Sequence, residues 1–569
     1  MNEFKQRIVN IAELCSQKRI RHVVISPGSR SAPLTLAFSR HPKMRCETVV
    51  DERSAAFVAL GIAQQSDTPV VLICTSGTAA LNYGPAVAEA TYQHIPLLVL
   101  TADRPPEWID QNDGQTIVQH QLYAPHCRAF FELPVDDHDP SAKWHTERIL
   151  CEAINRCLWP IPGPVHVNVP LREPLYPVDE LTYDKNPKII SQAQPEMALP
   201  GKAWSELLSG WRQARKKLIV AGLQKPVPGL CEQLHALQQD PGVVFLSDVT
   251  GNCQAAQTVA HSDMILSTDS DDLLAELQPD LLITFGGPVV SKSLKLFLRR
   301  FRPRAHWQLQ RGPNAVDTFQ SLTQILPVEP PYFVQELLAR TGAPQTSSGP
   351  TYRAVWQQKE TTAQDHLARF LRPALFSELS AMRSVLRHLP PESHLQLGNS
   401  SIVRLANFIS LVDKPGVRVN SNRGTSGIDG TVSTAVGAAL ATHMITTLIT
   451  GDLAFFYDRN GLWCKTLPAN LRIIIFNNGG GGIFRILDGS RTLPELTDHF
   501  EVAHNLTARN TAADHNLDYF WCDSKASLQQ HLSAFFADSE RPAILEVAFN
   551  KMVNSEMFLR FKKIMREIR

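Results

Sequence analysis

Asp452 and Asn478 each follow directly on an apolar run. Thr446-Thr447-Leu448-Ile449-Thr450 leads into Gly451-Asp452-Leu453, and Leu471-Arg472-Ile473-Ile474-Ile475-Phe476 leads into Asn477-Asn478-Gly479-Gly480-Gly481-Gly482. Loops at the carboxyl ends of parallel strands are where α/β sheets bind ligands. Asp452 offers a carboxylate oxygen, Asn478 an amide oxygen and Gly480 a carbonyl. Mg²⁺ takes such oxygens together with those of a phosphate, and glycines let a backbone come close to one. A further carboxylate, Glu52, stands far upstream in Val49-Val50-Asp51-Glu52-Arg53, after an apolar strand and at the start of a helical pattern. The two halves together suit a cofactor with a diphosphate at one end and a ring that needs a proton partner at the other. Thiamine diphosphate is such a cofactor.

Positioning these groups requires strands that end beside them. Residues 1–180 alternate apolar runs with helical stretches. The runs are His22–Ser26, Arg45–Val50, Pro69–Cys74, Pro96–Thr101 and Val165–Val169, with helices at Arg53–Gln65 and Thr78–Gln93. That alternation predicts a parallel sheet covered on both faces by helices. Asp184–Gly201 is polar and reads as a linker. A second series follows, with strands at Lys217–Ala221, Val243–Leu246 and Asp280–Phe285, and Thr341–Pro350 reads as a second linker. The last series repeats strand, loop and helix from His394 to Ala548. The expected architecture is three consecutive α/β domains with parallel sheets, at 1–183, 184–349 and 350–569.

Composition bounds the function. A length of 569 residues corresponds to roughly three domains of ~150–200 residues. Apolar residues make up 43%, enough for large cores, and the net charge of +1 gives no pull toward nucleic acid or membrane. No run approaches the ~20 apolar residues of a membrane span. The start, Met1-Asn2-Glu3-Phe4-Lys5-Gln6-Arg7, lacks the features of a signal peptide. The 10 cysteines are scattered and show no CxxC spacing, so reduced thiols and a cytoplasmic location are expected.

The Gly451-Asp452 and Asn477-Asn478 pair resembles the diphosphate signature of thiamine-diphosphate enzymes, and Asp51-Glu52 matches the glutamate of their pyrimidine-binding domain. Four longer stretches are more specific: Ser26–Leu34, Thr101–Glu107, Gly398-Asn399-Ser400, and Ser421–Gly430. Together they resemble the 2-succinyl-5-enolpyruvyl-6-hydroxy-3-cyclohexene-1-carboxylate synthase family of menaquinone biosynthesis. The matches run in order from about residue 20 to residue 485, weakly over 190–340 apart from Lys292. The resemblance implies domains in the order pyrimidine-binding, central and diphosphate-binding. It makes Glu52 the partner of the pyrimidine ring and places Ile428 under the bend between the cofactor's two rings. The Ser426 carbonyl receives the exocyclic amine. Asn399, Ser400, Gly451, Asp452 and Leu453 serve the diphosphate, and Asp452, Asn478 and Gly480 hold Mg²⁺, with Mn²⁺ as the alternative.

The reaction implied is a transferase one, in which a carboligase decarboxylates 2-oxoglutarate and adds the remaining succinyl unit to isochorismate. Both substrates are dicarboxylates, and arginine binds carboxylate through two parallel hydrogen bonds. Arg404 and Ser400 are expected near the 2-oxoglutarate carboxylate. Ser29, Arg30, Arg104 and Gln115 are expected near isochorismate, and Arg423 and Lys292 complete the polar set. A homodimer or a dimer of dimers is implied, with no nucleic-acid or membrane partner. Two departures stand out: Leu453 replaces the glycine common among relatives, and the run Gly479–Gly482 is richer in glycine than expected, which leaves two consequences open, a looser loop or a carbonyl other than that of Gly480 at the metal. Phe455-Phe456-Tyr457-Asp458-Arg459-Asn460 has no assigned role. The competing readings are an acetolactate-synthase-like carboligase or 2-oxoacid decarboxylase, which needs no such arginine set, and a non-catalytic relative that binds the cofactor.

Overall fold

The computed structural model describes residues 5–136, 140–177, 180–342, 351–372 and 375–568. Among the described residues three sheets are present, and every strand pairing in them is parallel. The first runs, edge to edge, Arg45–Thr48, His22–Ile25, Val70–Cys74, Leu97–Asp103, Val165–Pro170, Phe130–Glu132. The third repeats that order with Arg418–Ser421, His394–Leu397, Thr446–Gly451, Leu471–Asn477, Ala543–Ala548, Asp518–Cys522. The second has five strands, Gln324–Leu326, Ala305–Leu309, Leu281–Phe285, Lys217–Ala221 and Val243–Ser247. Residues 180–200 carry no helix or strand. Most of the expected second linker, from Ala343 to Pro350, lies outside the described residues.

Continuous apolar runs form the central strands because helices cover both faces of a parallel sheet. Val70–Cys74 is buried throughout, with Val71 and Ile73 in one core and Val70, Leu72 and Cys74 in another. The second of these cores also takes Leu448, Leu471, Ile473 and Ile475 of the third sheet. The first and third units are therefore packed on one continuous apolar layer. Their contact centres on two helices, Glu52–Ser66 and Thr431–Leu440. A Cβ on Gly61 would overlap the Thr434 carbonyl, and one on Gly437 would overlap the Val58 carbonyl. Glycine at both positions is what lets the two backbones touch.

Two expectations are corrected. The stretch Thr78–Gln93 is two helices, Thr78–Asn82 and Gly84–Gln93. Pro85 stands in the first turn of the second, where its missing N–H costs nothing, whereas inside one long helix it would remove a hydrogen bond. Nor are all cysteines reduced: Cys231 and Cys253 form a disulfide with Cα atoms 5.4 Å apart. The other eight are free thiols. A pair 22 residues apart in sequence gives no spacing signal, because a helix and a strand fold between them.

Candidate active site

In a sheet ordered this way the connections turn in opposite directions on either side of one strand pair, and the crevice above that point binds ligands. In the third sheet the pair is His394–Leu397 and Thr446–Gly451, so Gly398-Asn399-Ser400 and Gly451-Asp452 face each other across it. Asp452 opens the helix Asp452–Asp458 and is 2% exposed. Its Oδ2 accepts from the backbone N–H groups of Asn478 (3.1 Å), Gly479 (2.8 Å) and Gly480 (2.9 Å), and its Oδ1 from Leu453 N–H (2.7 Å). Burial holds its carboxyl above the usual range, against the pull of the Gly480 and Leu453 N–H groups and of His504.

Asn478 donates from Nδ2 to Glu378 Oε1 (2.6 Å), while its own Oδ1 is buried with no hydrogen-bond partner. A buried acceptor left without a donor is what a bound cation would satisfy. Among the described residues no three His, Cys, Asp or Glu side chains could hold a metal by themselves. One carboxylate, one amide oxygen and a carbonyl do suit a hard ion that draws its other oxygens from a diphosphate. Glu378, invisible in the sequence as a site residue, fixes the Asn478 amide from behind. Burial raises its own carboxyl, and nearby Asp452 adds to that.

The glycine run is tied down, contrary to expectation. His504 N–H donates to the Gly479 carbonyl (3.0 Å), Gly481 N–H to that of Glu501 (2.6 Å), and Gly482 N–H to that of Gly480 (3.0 Å). Gly479 and Gly480 have φ of 76° and 147°, which a side chain would strain.

Ser400 has a φ of 67° at the head of the helix Ser401–Ile409, and its hydroxyl does not cap that helix. Strain of this sort is kept where the surroundings enforce it. The Asn399 amide is spent on the neighbouring loop, with Nδ2 donating to the carbonyls of Asn422 (2.7 Å) and Gly427 (2.6 Å). Its Oδ1 accepts from Arg423 Nη1 (3.3 Å). That loop carries Ser426, with φ 64°, and the half-buried Ile428.

Glu89, which sequence reasoning missed, clamps the same loop from the first unit. It is 1% exposed and accepts from Gly424 N–H (2.7 Å), Thr425 N–H (2.6 Å) and Thr425 Oγ (2.5 Å). Glu89→Gln would turn an amide donor toward backbone donors. The expected loss is about 1.5–3 kcal/mol of stability, read as a lower unfolding temperature. Unchanged unfolding would remove Glu89 from this role.

The cations fall into two groups. Arg104 donates to Ser76 Oγ (2.7 Å), Asp113 Oδ2 (2.6 Å) and the Gln115 carbonyl (3.3 Å). Arg30 donates to the Leu171 carbonyl (3.0 Å) and is lowered by burial and by Arg104. Exposed Ser29 stands next to it, so Ser29, Arg30, Arg104 and Gln115 share one face at the end of the first sheet. Arg404 and Arg423 form the second group. Burial lowers the Arg423 guanidinium, and Arg404 lowers it further. Lys292 is exposed at the start of the helix Lys292–Arg300 and lies near Lys562. One turn on, half-buried Lys295 stands beside Arg423 and Arg404: burial lowers it most, and the two arginines add to that.

Glu52 begins the helix Glu52–Ser66, capped by Asp51, whose Oδ1 accepts from Ser54 N–H (3.1 Å). Its charge reaches Cys74 and Tyr83, both raised mainly by burial. Among the described residues nothing donates a hydrogen bond to its carboxylate, and no hydrogen bond or ion pair within a single chain joins it to Asp452 or Asn478.

Comparison with known proteins identifies the family. Residues 10–123 match the family "Thiamine pyrophosphate enzyme, N-terminal TPP binding domain", and residues 175–397 match "Middle domain of thiamine pyrophosphate". Fold and matches together define a thiamine-diphosphate enzyme. The chain is 42% identical over 99% of both sequences to a 2-succinyl-5-enolpyruvyl-6-hydroxy-3-cyclohexene-1-carboxylate synthase of Cytophaga hutchinsonii. It is 38% identical to the synthases of Flavobacterium johnsoniae and Christiangramia forsetii, over 98% of each sequence. It belongs to this synthase family.

Proposed function

We propose that the protein decarboxylates 2-oxoglutarate and joins the remaining four-carbon unit to isochorismate, giving 2-succinyl-5-enolpyruvyl-6-hydroxy-3-cyclohexene-1-carboxylate. The carrying observation is the crevice of the third sheet, where the buried Asp452 carboxylate meets the unpartnered Asn478 Oδ1. Thiamine diphosphate, when bound, supplies the carbanion chemistry that the side chains lack. Asp452, Asn478 and the Gly480 carbonyl would hold Mg²⁺ or Mn²⁺ against the diphosphate, and Gly451 and Leu453 would line it. Glu52 would exchange a proton with the pyrimidine ring. Ile428 and the Ser426 carbonyl would set its angle.

Arg404, Arg423 and Ser400 would receive a carboxylate of 2-oxoglutarate. Arg30, Arg104, Ser29 and Gln115 would receive isochorismate. Neither Arg404 nor Arg423 forms an ion pair among the described residues, which leaves their charge for a substrate. An acetolactate-type enzyme would have no use for both groups.

The pyrimidine-binding, central and diphosphate-binding domains would span 1–183, 184–349 and 350–569. The enzyme would act as a homodimer or a dimer of dimers. Val50, Tyr457 and Trp463 are 41%, 56% and 54% exposed around Glu52, and apolar surface of this kind marks an interface. Among the described residues no helix is long and apolar enough to cross a membrane, and a cytoplasmic location fits the biosynthetic role.

One assay tests the reading. With thiamine diphosphate, Mg²⁺ and 2-oxoglutarate present, isochorismate should disappear as CO₂ is released in equal amount. Turnover with pyruvate instead of 2-oxoglutarate would favour an acetolactate-like carboligase, and absence of turnover with either would point to a non-catalytic relative.

A further inference from the structure

The segment Tyr457-Asp458-Arg459-Asn460 ends the helix that Asp452 opens and runs past it, and the site described above makes no use of it. The structure turns it toward Glu52. Asn460 Nδ2 donates to Asp51 Oδ2 at 2.8 Å. Arg53 Nη2 donates to the Tyr457 carbonyl at 3.0 Å and lies 3.6 Å from Asp458 Oδ1. The Arg53 guanidinium also sits over the Tyr457 ring, 4.7 Å from its centre. A few residues on, Cys464 forms a β-bridge with Val49. Val49, Asp51 and Arg53 are thus all held by residues 457–464, while Glu52 between them is left free.

Asp458 makes this grip firm. It is fully buried and accepts from Ser433 N–H and Ser433 Oγ, both at 2.7 Å. Ser433 lies on the helix Thr431–Leu440 that packs on the Glu52 helix. A carboxylate buried at this depth needs its donors, so Asp458 is fixed in position and in turn fixes Arg53. Pinning the residues before and after Glu52 fixes the direction of its Cα–Cβ bond. Asp51 alone would not do so, because capping Ser54 sets only the helix start.

We propose that Tyr457–Asn460 is the positioning device of Glu52, with Arg53 and Asn460 as positioning residues that act through the chain on either side of its carboxylate. The inference deepens the proposed function and rests on Glu52 being the proton partner of the cofactor. It also gives the helix Asp452–Asp458 two working ends: its first residue faces the expected metal and its last anchors the turn that carries Glu52.

The test compares Arg53→Met, Arg53→Lys and Asn460→Ala with Glu52→Gln. Asn460 is exposed, so its replacement leaves the core intact. Two measurements are made. The first is hydrogen exchange of backbone amides 49–56 in the cofactor-free protein. The second is exchange of the C2 hydrogen in bound thiamine diphosphate, with cofactor affinity by calorimetry. Arg53→Met and Asn460→Ala should speed amide exchange at 49–56. They should slow C2 exchange by up to roughly 10²-fold, the cost of an ångström-scale misplacement, with affinity little changed. Arg53→Lys, which keeps a cation beside Asp458, should restore most of the rate.

If Arg53→Met and Asn460→Ala both leave C2 exchange at the wild-type rate while Glu52→Gln slows it, the positioning role is wrong and the proposed function stands. Lower thermal stability with unchanged C2 exchange also overturns it, since the segment would then only hold the units together. If Glu52→Gln itself exchanges normally, the assignment of Glu52 falls and the inference falls with it.

Discussion

Glu52→Gln is expected to lower turnover by roughly 10²–10⁴-fold, the usual worth of a positioned proton-transfer group, while thiamine diphosphate binds almost as well as before. Gln keeps the length and shape of the side chain and still hydrogen-bonds a ring nitrogen. It cannot carry a proton back and forth. The affinity resides elsewhere, in the Asp452 and Asn478 crevice of the third sheet, so the two quantities should separate. Tyr83 and Cys74, which feel the charge of Glu52, are buried and held in their neutral forms, so neither offers a replacement carboxylate. Single-turnover rates and calorimetry on the same preparation decide the matter. Wild-type turnover in the variant, or affinity lost in step with turnover, would remove Glu52 from the proton path.

The parts of this arrangement that rest on local pattern were legible in the sequence. Lys217–Ala221 is a strand over the residues expected, and Thr446–Gly451 and Leu471–Asn477 extend their expected runs by one residue. A buried parallel strand must be apolar on both faces, so its signal is continuous. Ala305–Leu309 escaped because His306 and Gln308 interrupt the run; both are buried and meet Thr284 on the next strand. Phe130–Glu132 and Gln324–Leu326 are too short to show a period. Asp452 and Asn478 could be singled out because each follows a strand directly.

Glu378, Glu89 and Asp458 could not be found that way. Each does its work through a partner remote in sequence: Glu378 through Asn478, Glu89 through Gly424 and Thr425, Asp458 through Arg53. A carboxylate on a helix looks like surface until the fold buries it. The place of Lys295 was hidden for a related reason. It lies on a short helix, and only the packing of the second unit against the third brings it beside Arg404 and Arg423.

Mixing two dead variants should restore activity. Asp452→Ala removes the carboxylate expected to hold the metal, leaving Asn478 and a carbonyl, too little to bridge a diphosphate through Mg²⁺. This variant and Glu52→Gln should each be nearly inactive alone. Among the described residues no hydrogen bond or ion pair of the single chain joins Glu52 to Asp452 or Asn478, and Val50 beside it and Tyr457 and Trp463 of the segment that holds its turn are exposed. A two-fold dimer in which the first unit of one chain faces the third unit of the other covers that surface and completes two equivalent sites. Subunit exchange between the variants would give mixed dimers with one site free of both lesions and one site carrying both. At equal mixing, half of the dimers are mixed and each has one working site of two, so activity should return to about a quarter of wild type. Native mass spectrometry establishes that exchange has taken place. Exchange without recovered activity would place Glu52 and Asp452 of the same chain in one site, because every chain in the mixture would then carry a lesion in its own.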